Sequence, residues 1–420
     1  MEQVILGGYY DLLSPADVEY NSVVGGMSWR ATETDYAKPV STDGYIKSLR
    51  VVLSGAPGVG THYDFTLMLN GAPTALTVEI ADLDVDGSDM ITSIDVTGAD
   101  LISLKSSPDS TPNAVYAKWS FIFEGDTPNE SIILGGSWAP LHDTNTEYSG
   151  PMGAYIAPTG TENVKRQVMP TAGVLKNFYV SLSADPGTAP DAYRLTVRLN
   201  KTTVAQSLIV TIVANDKTGS DLAHNLVVTA GDILTVMCEP LNTPLVEPFA
   251  QWGMTFVADI DGESVVLGNH GITLDVINTE YNYLVGFDGD DWIANEAQRS
   301  QLAQSCWVTK LHILLSGTPG AGNRYDFRIR KSLADTLVTV RVSDPATTGD
   351  SGILIDTLAL DEYVDFEADP GSTPDARFVY WGFVLSDRAY GWSGKISGVT
   401  DPAEIAGVAK ANIAAVKGVV

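Results

Sequence analysis

The chain is poor in the residues that most chemistries need. Two cysteines, Cys238 and Cys306, in 420 residues give neither a disulfide framework nor a zinc ligand set. Each reads as a small buried hydrophobe in a strand. The five histidines, His62, His142, His224, His270 and His312, stand singly, with no pair at helical metal spacing and no Gly-x-Ser-x-Gly nucleophile elbow. Basic residues are scarce, 25 Lys and Arg against 52 Asp and Glu, for a formal net charge of -27. A body so acidic excludes nucleic acid as a partner, because phosphate binding needs clustered Lys and Arg. No apolar run reaches the roughly 18 residues a membrane span requires. The first residues, Met1-Glu2-Gln3-Val4-Ile5-Leu6-Gly7-Gly8, lack the basic segment and apolar stretch of a signal peptide, so synthesis in a cytoplasm is expected. With 44% hydrophobic residues the chain still has ample material for packed cores.

What is present is repetition. Ile5-Leu6-Gly7-Gly8 returns as Ile133-Leu134-Gly135-Gly136 and, altered, as Val266-Leu267-Gly268-Asn269. Glu19-Tyr20 returns as Glu147-Tyr148 and Glu280-Tyr281. A Pro-Gly turn before a Tyr-led strand occurs at Pro57-Gly58 with Tyr63, Pro186-Gly187 with Tyr193, and Pro319-Gly320 with Tyr325. A strand led by Trp119, Trp252 or Trp381 closes each copy. Four landmarks in one order at nearly constant spacing define a module of about 130 residues used three times.

Within a module the periodicity is that of strands. Arg194-Leu195-Thr196-Val197-Arg198-Leu199 alternates polar with apolar, as a strand with one buried face does. Pro-Gly turns, Asn70-Gly71 and Gly231-Asp232 punctuate short β-branched runs. The expected fold is therefore all-β: three tandem antiparallel β-sandwiches of jelly-roll type, over 1–126, 127–259 and 260–387, followed by a C-terminal tail over 388–420. The repeated Trp is expected in the cores. Such modules bury edges and flat faces against copies of themselves, which leads to an expected homo-oligomer, a trimer by preference.

The tail differs in kind. Thr400-Asp401-Pro402-Ala403-Glu404 has the form of a helix start, and Ile405, Val408, Ile413 and Val416 approximate one helical stripe. It is slightly basic beneath an acidic body. Its branched apolar residues and glycines, Ile396, Gly398, Val399, Ile405, Gly407, Val408, Ile413, Val416, Gly418 and Val419, form a candidate docking element for a partner. One loop suggests calcium: Asp82, Asp84 and Asp86 alternate before Gly87, as oxygen ligands do in a calcium loop, though the closing Glu is replaced by Ser93. A solvated acidic turn is the plain alternative, and no other cofactor is expected.

The tail sequence Gly394-Lys395-Ile396-Ser397-Gly398-Val399-Thr400-Asp401-Pro402-Ala403-Glu404-Ile405-Ala406-Gly407-Val408 resembles a short C-terminal motif of tail, fibre and other virion-associated proteins of tailed bacteriophages and prophages. The modules are similar to the sandwich units those proteins repeat. The resemblance implies a non-enzymatic structural role on a virion, as capsid decoration, fibre or tail protein, with other virion proteins contacted through the tail. It supplies no catalytic residue. The rival expectation is a carbohydrate-binding adhesin or receptor-binding protein using exposed Tyr and Trp; a glycan-degrading tailspike would need a long solenoid and a clefted carboxylate pair.

Overall fold

The computed structural model describes residues 1–8, 11–26, 28–153, 158–285, 292–296 and 299–388, with the backbone of four two-residue strands in the tail. The first module is built from β1 (Glu2–Gly8), β2 (Glu19–Asn21), β3 (Lys38–Pro39), β4 (Gly44–Leu53), β5 (Gly58–Leu69), β6 (Ala72–Asp82), β7 (Asp86–Val96), β8 (Leu101–Asp109) and β9 (Ala117–Gly125). One sheet has the order β1-β9-β4-β7 and the other β2-β8-β5-β6, with β3 also pairing β8. All these pairs are antiparallel. Two four-stranded sheets in this order make a jelly roll, with two interleaved Greek keys. The second and third modules repeat the order with strands drawn from 130–258 and 263–386. Among the described residues the helical content is two single 3₁₀ turns, Glu33–Asp35 and Glu162–Val164.

The landmarks of the repeat turn out to be one packing unit. Gly7 lies directly opposite Trp119 in the β1–β9 ladder, as Gly135 does opposite Trp252 and Gly268 opposite Trp381. A Cβ on Gly7 would sit 2.1 Å from Trp119 Nε1, and one on Gly268 2.2 Å from Trp381 Cε2. The indole therefore lies flat over a residue that must lack a side chain. Each indole N–H is satisfied by a backbone carbonyl, of Val23, Pro151 and Leu284 respectively. All three Trp side chains are buried. The Tyr of each Tyr-led strand is likewise buried and donates its hydroxyl to a loop carbonyl, of Asn113, Val246 and Asp375. The turn glycines Gly58, Gly187 and Gly320 have the positive φ that only glycine adopts at low cost. Asn70-Gly71, with both φ positive, joins β5 to β6 as a two-residue hairpin loop.

The three modules close into a ring. Pro39 of the first module presents its carbonyl to Gly253 of the second, where a Cβ would lie 2.0 Å from that oxygen. Val168 of the second does the same to Gly382 of the third, again at 2.0 Å. Gln301 of the third presents its carbonyl to the first, where Ser120 donates to it at 2.6 Å. The residues that present these carbonyls, Pro39, Val168 and Gln301, lie on equivalent short edge strands. The positions they meet, Gly253, Gly382 and Ser120, directly follow Trp252, Trp381 and Trp119. One contact used three times, with the last module returning to the first, is quasi-threefold symmetry within a single chain. The first strands line the centre: Val4, Leu6, Ile132, Leu134, Val265 and Val266 enclose a void of about 10 Å³. A single continuous hydrophobic cluster joins the three cores there.

The tail departs from the helical expectation. Lys395–Ile396 pairs antiparallel with Val399–Thr400, and Glu404–Ile405 with Val408–Ala409. Ile405 and Val408 are therefore cross-strand partners and not one stripe of a helix. The other docking candidates, Gly398, Gly407, Ile413, Val416, Gly418 and Val419, lie outside the described residues.

Candidate assembly faces

The sandwich has two unlike ends. At one end run the β2–β4 connection, the β5–β6 and β7–β8 turns, and the linkers at 126–129 and 259–262. These linkers touch: Asn129 donates to Asp261, Arg388 pairs with Asp261, and the Glu2 backbone N–H donates to Asp387. The chain leaves the third module at the same end, so the tail departs from where both linkers gather. A Lys–Glu pair recurs near this end in each module: Lys47–Glu2 at 2.6 Å, Lys176–Glu130 at 2.6 Å and Lys310–Glu263 at 2.5 Å.

The opposite end carries the β1–β2, β4–β5, β6–β7 and β8–β9 loops of every module. It is anionic, with Asp11, Asp17, Asp84, Asp143, Asp185, Asp216, Glu247, Asp275 and Asp344 against Lys217 and Arg377. Its tips also expose Val59, Leu83, Leu245 and Ile277. The recurring Glu-Tyr belongs here, where its Glu is a brace. Glu19, Glu147 and Glu280 accept the backbone N–H of Ser14, His142 and Asp275 and pin the first loop of each module. Burial raises the pKa of Glu19 and Glu147 against these N–H bonds, which oppose the rise.

Asp82, Asp84 and Asp86 lie at the β6–β7 connection. Asp82 accepts the Gly60 backbone N–H at 2.7 Å, and Asp86 lies 3.5 Å from Arg50. Their carboxylates are not among the groups of three that converge within 4.8 Å among the described residues. Two groups do converge: His142 with Asp143 and Glu247, and His62 with Asp64 and Glu79. In the first, His142 Nδ1 takes the Thr144 backbone N–H at 3.0 Å, so that ring is a turn brace. The second gathers residues from neighbouring strands. Only the pair His62-x-Asp64, two residues on one strand face, was open to reading from the sequence. Cys238 and Cys306 are buried and unbonded, their thiols pushed up by burial, Cys306 to about 12.

No protein-family model matches this chain, and no curated protein matches it. No helix among the described residues is long and apolar enough to cross a membrane.

One cleft opens at the junction of the first two modules. About 310 Å³ is bounded by Pro39, Ala99 and Leu101 on one side and Tyr179, Ser181, Thr218 and Ser220 on the other. The corresponding space at the junction of the third and first modules is filled. There Arg50, in the register position of Tyr179, binds Gln301 Oε1 at 2.7 Å and Asp361 at 2.8 Å.

Proposed function

We propose that this chain is a non-enzymatic structural component of a bacteriophage virion, a capsid decoration, fibre or tail protein, held to other virion proteins by its C-terminal tail. The observation that carries the reading is polarity. Both linkers and the departure of the tail share one end of a closed three-module ring, and the loops of all three modules face away from it. An attached subunit needs this arrangement, since a single segment anchors it and the anionic loops stand clear. The tail sequence supports the same reading through its resemblance to phage tail and fibre motifs. Neither a nucleic acid nor a membrane is a partner in this account.

Ring closure inside the chain bears on oligomerisation. The contact that three copies of a single module would make between chains is made here between covalently joined modules, so the ring needs no second chain. A homotrimer of the whole chain would have to use other surfaces.

A second reading, a carbohydrate-binding adhesin, is favoured by the cleft at the first junction. The repeated Trp side chains are buried and offer no stacking platform. The neutral, hydroxyl-lined cleft beside Tyr179 is the place where a sugar ring would fit.

The test is a truncation after Tyr390. The shortened protein is expected to stay folded with near-normal thermal stability, and to be absent from particles assembled in its presence. Incorporation at normal copy number would overturn the attachment role. Retention of the truncated protein by host cells or a glycan array would favour the adhesin.

A further inference from the structure

The outer face of the β2-β8-β5-β6 sheet carries different chemistry in the three modules. At one lattice position stands Asp64 in the first module, Arg194 in the second and Asp326 in the third, each following the buried Tyr of its strand. Arg194 pairs with Glu239 on the neighbouring strand at 2.9 Å. Asp326 pairs with Arg341 at 2.6 Å and Arg324 at 3.2 Å. In both modules an arginine neutralises the carboxylates of this face. The first module has no arginine there. Asp64 faces Glu79 across the β5–β6 ladder, His62 faces Asp109 across the β5–β8 ladder, and His62 and Asp64 share the sheet face two residues apart. Three carboxylates thus surround one imidazole.

The imidazole is placed as a metal-binding histidine is. Its Nε2 lies 3.7 Å from an Asp64 oxygen, and its Nδ1 lies 3.6 Å from an Asp109 oxygen on the other side. Both separations are too long for hydrogen bonds. His62, Asp64 and Glu79 each bring one ligand atom within 4.8 Å of the others. Ligands about 2.0–2.2 Å from a tetrahedral ion stand roughly 3.3–3.5 Å apart, so the Nε2–Asp64 spacing needs a closure of only a few tenths of an ångström. Asp109 on Nδ1 then fills the role of the carboxylate that orients a ligating imidazole.

We propose that the first module binds one divalent transition-metal ion, of the zinc class, through His62 Nε2, Asp64 and Glu79, with Asp109 positioning the imidazole and a fourth position open to solvent. One nitrogen with two carboxylate oxygens suits zinc better than calcium, which takes six to eight oxygens. The ion supplies the positive charge that arginine supplies in the sister modules. It would tie β5 to β6 at the loop end, where β5 extends to Gly58 while its counterparts begin at Ala192 and Arg324.

The test is zinc titration of the full-length protein by calorimetry, with melting temperature as a second readout. One equivalent should bind and raise the melting temperature. His62→Ala and Asp64→Asn should each weaken binding at least tenfold, and Asp109→Asn ten- to a hundredfold. Asp64→Arg copies the second module, so it should abolish binding while leaving the melting temperature of the zinc-free protein unchanged or higher. His142→Ala and Asp84→Asn should bind as the parent does. The proposal is overturned if zinc at 100-fold excess produces neither heat nor a melting shift, or if binding survives both His62→Ala and Asp64→Arg.

Discussion

Two junctions of the ring join modules that follow one another in the chain, and the third joins the last module to the first with no linker. The linked junctions combine bare-glycine fit with buried polar bonds, from Thr42 to Glu130 and Thr255 to Ser41 at the first and from Thr171 to Glu263 and Tyr380 to Asn163 at the second. Gly253 and Gly382 let a carbonyl of the preceding module come against bare backbone, and the space beside Tyr179 is left open. The closing junction has polar bonds without the bare-glycine contact. Ser120 puts a hydroxyl where the others have glycine, Arg50 reaches Gln301 and Asp361, and the Glu2 N–H reaches Asp387. A short linker also holds its neighbours at high effective concentration, which the first and third modules lack. The unlinked pair is spanned by Arg50, whose charge-assisted bonds to Gln301 and Asp361 fix register as well as contact.

The largest effect should come from the glycines of the linked junctions. Gly253→Ala and Gly382→Ala place a methyl about 2.0 Å from a carbonyl oxygen that belongs to another module, and backbone cannot rotate away. Each is expected to cost about 3 kcal/mol or more, read as a fall in the denaturation midpoint. Ser120→Ala, the same position at the closing junction, removes one hydrogen bond and should cost only about 0.5–1.5 kcal/mol. Equal effects at all three positions would erase the distinction between the junctions.

Arg50→Ala should come next. The side chain is 12% exposed and serves Gln301, Asp361 and Asp86. Its loss should cost about 1–3 kcal/mol. Amide exchange should quicken around Gln301 and Ser120 and stay unchanged around Pro39 and Gly253.

A pH-dependent effect concerns Lys38, whose ammonium is buried at the first junction against the Gly135 carbonyl and Gln251 Oε1. Burial lowers its pKa to about 7 from an ordinary 10.5. Between those values the unfolded chain holds a proton that the folded chain does not, so stability from this group rises with pH from about 7 to 10. Gln167 and Ser300 hold the equivalent place at the other junctions. Lys38→Gln should therefore flatten the rise in melting temperature between pH 7 and pH 10 relative to the parent. An unchanged slope would show that the amine is solvated.

Much of a single module was legible in the sequence. Alternation gave the strands, Pro57-Gly58 and Asn70-Gly71 gave the turns, and the recurring Trp gave the core. The reason for Gly7 and Gly135 was not legible, because their partner Trp lies over a hundred residues away. The ring was hidden for a different cause: its contacts use backbone carbonyls of Pro39, Val168 and Gln301, which share no side-chain chemistry. The tail misled because positions i and i+3 satisfy two geometries. Ile405 and Val408 are a helical turn apart, and the same spacing suits two residues paired across an antiparallel ladder. The candidate calcium loop drew on alternation along one strand end, whereas the carboxylates and histidine that converge come from two strands, β5 and β6. No single-strand pattern shows that convergence.

The central claim is that one chain closes its own quasi-threefold ring, and small-angle scattering of the full-length protein tests it most directly, on the fraction whose mass matches one chain of 44.8 kDa. A compact particle of this length has a radius of gyration of about 22 Å, which the account predicts with a small addition from the tail. A value of roughly 30 Å or more, the size of three modules strung in line, would contradict it.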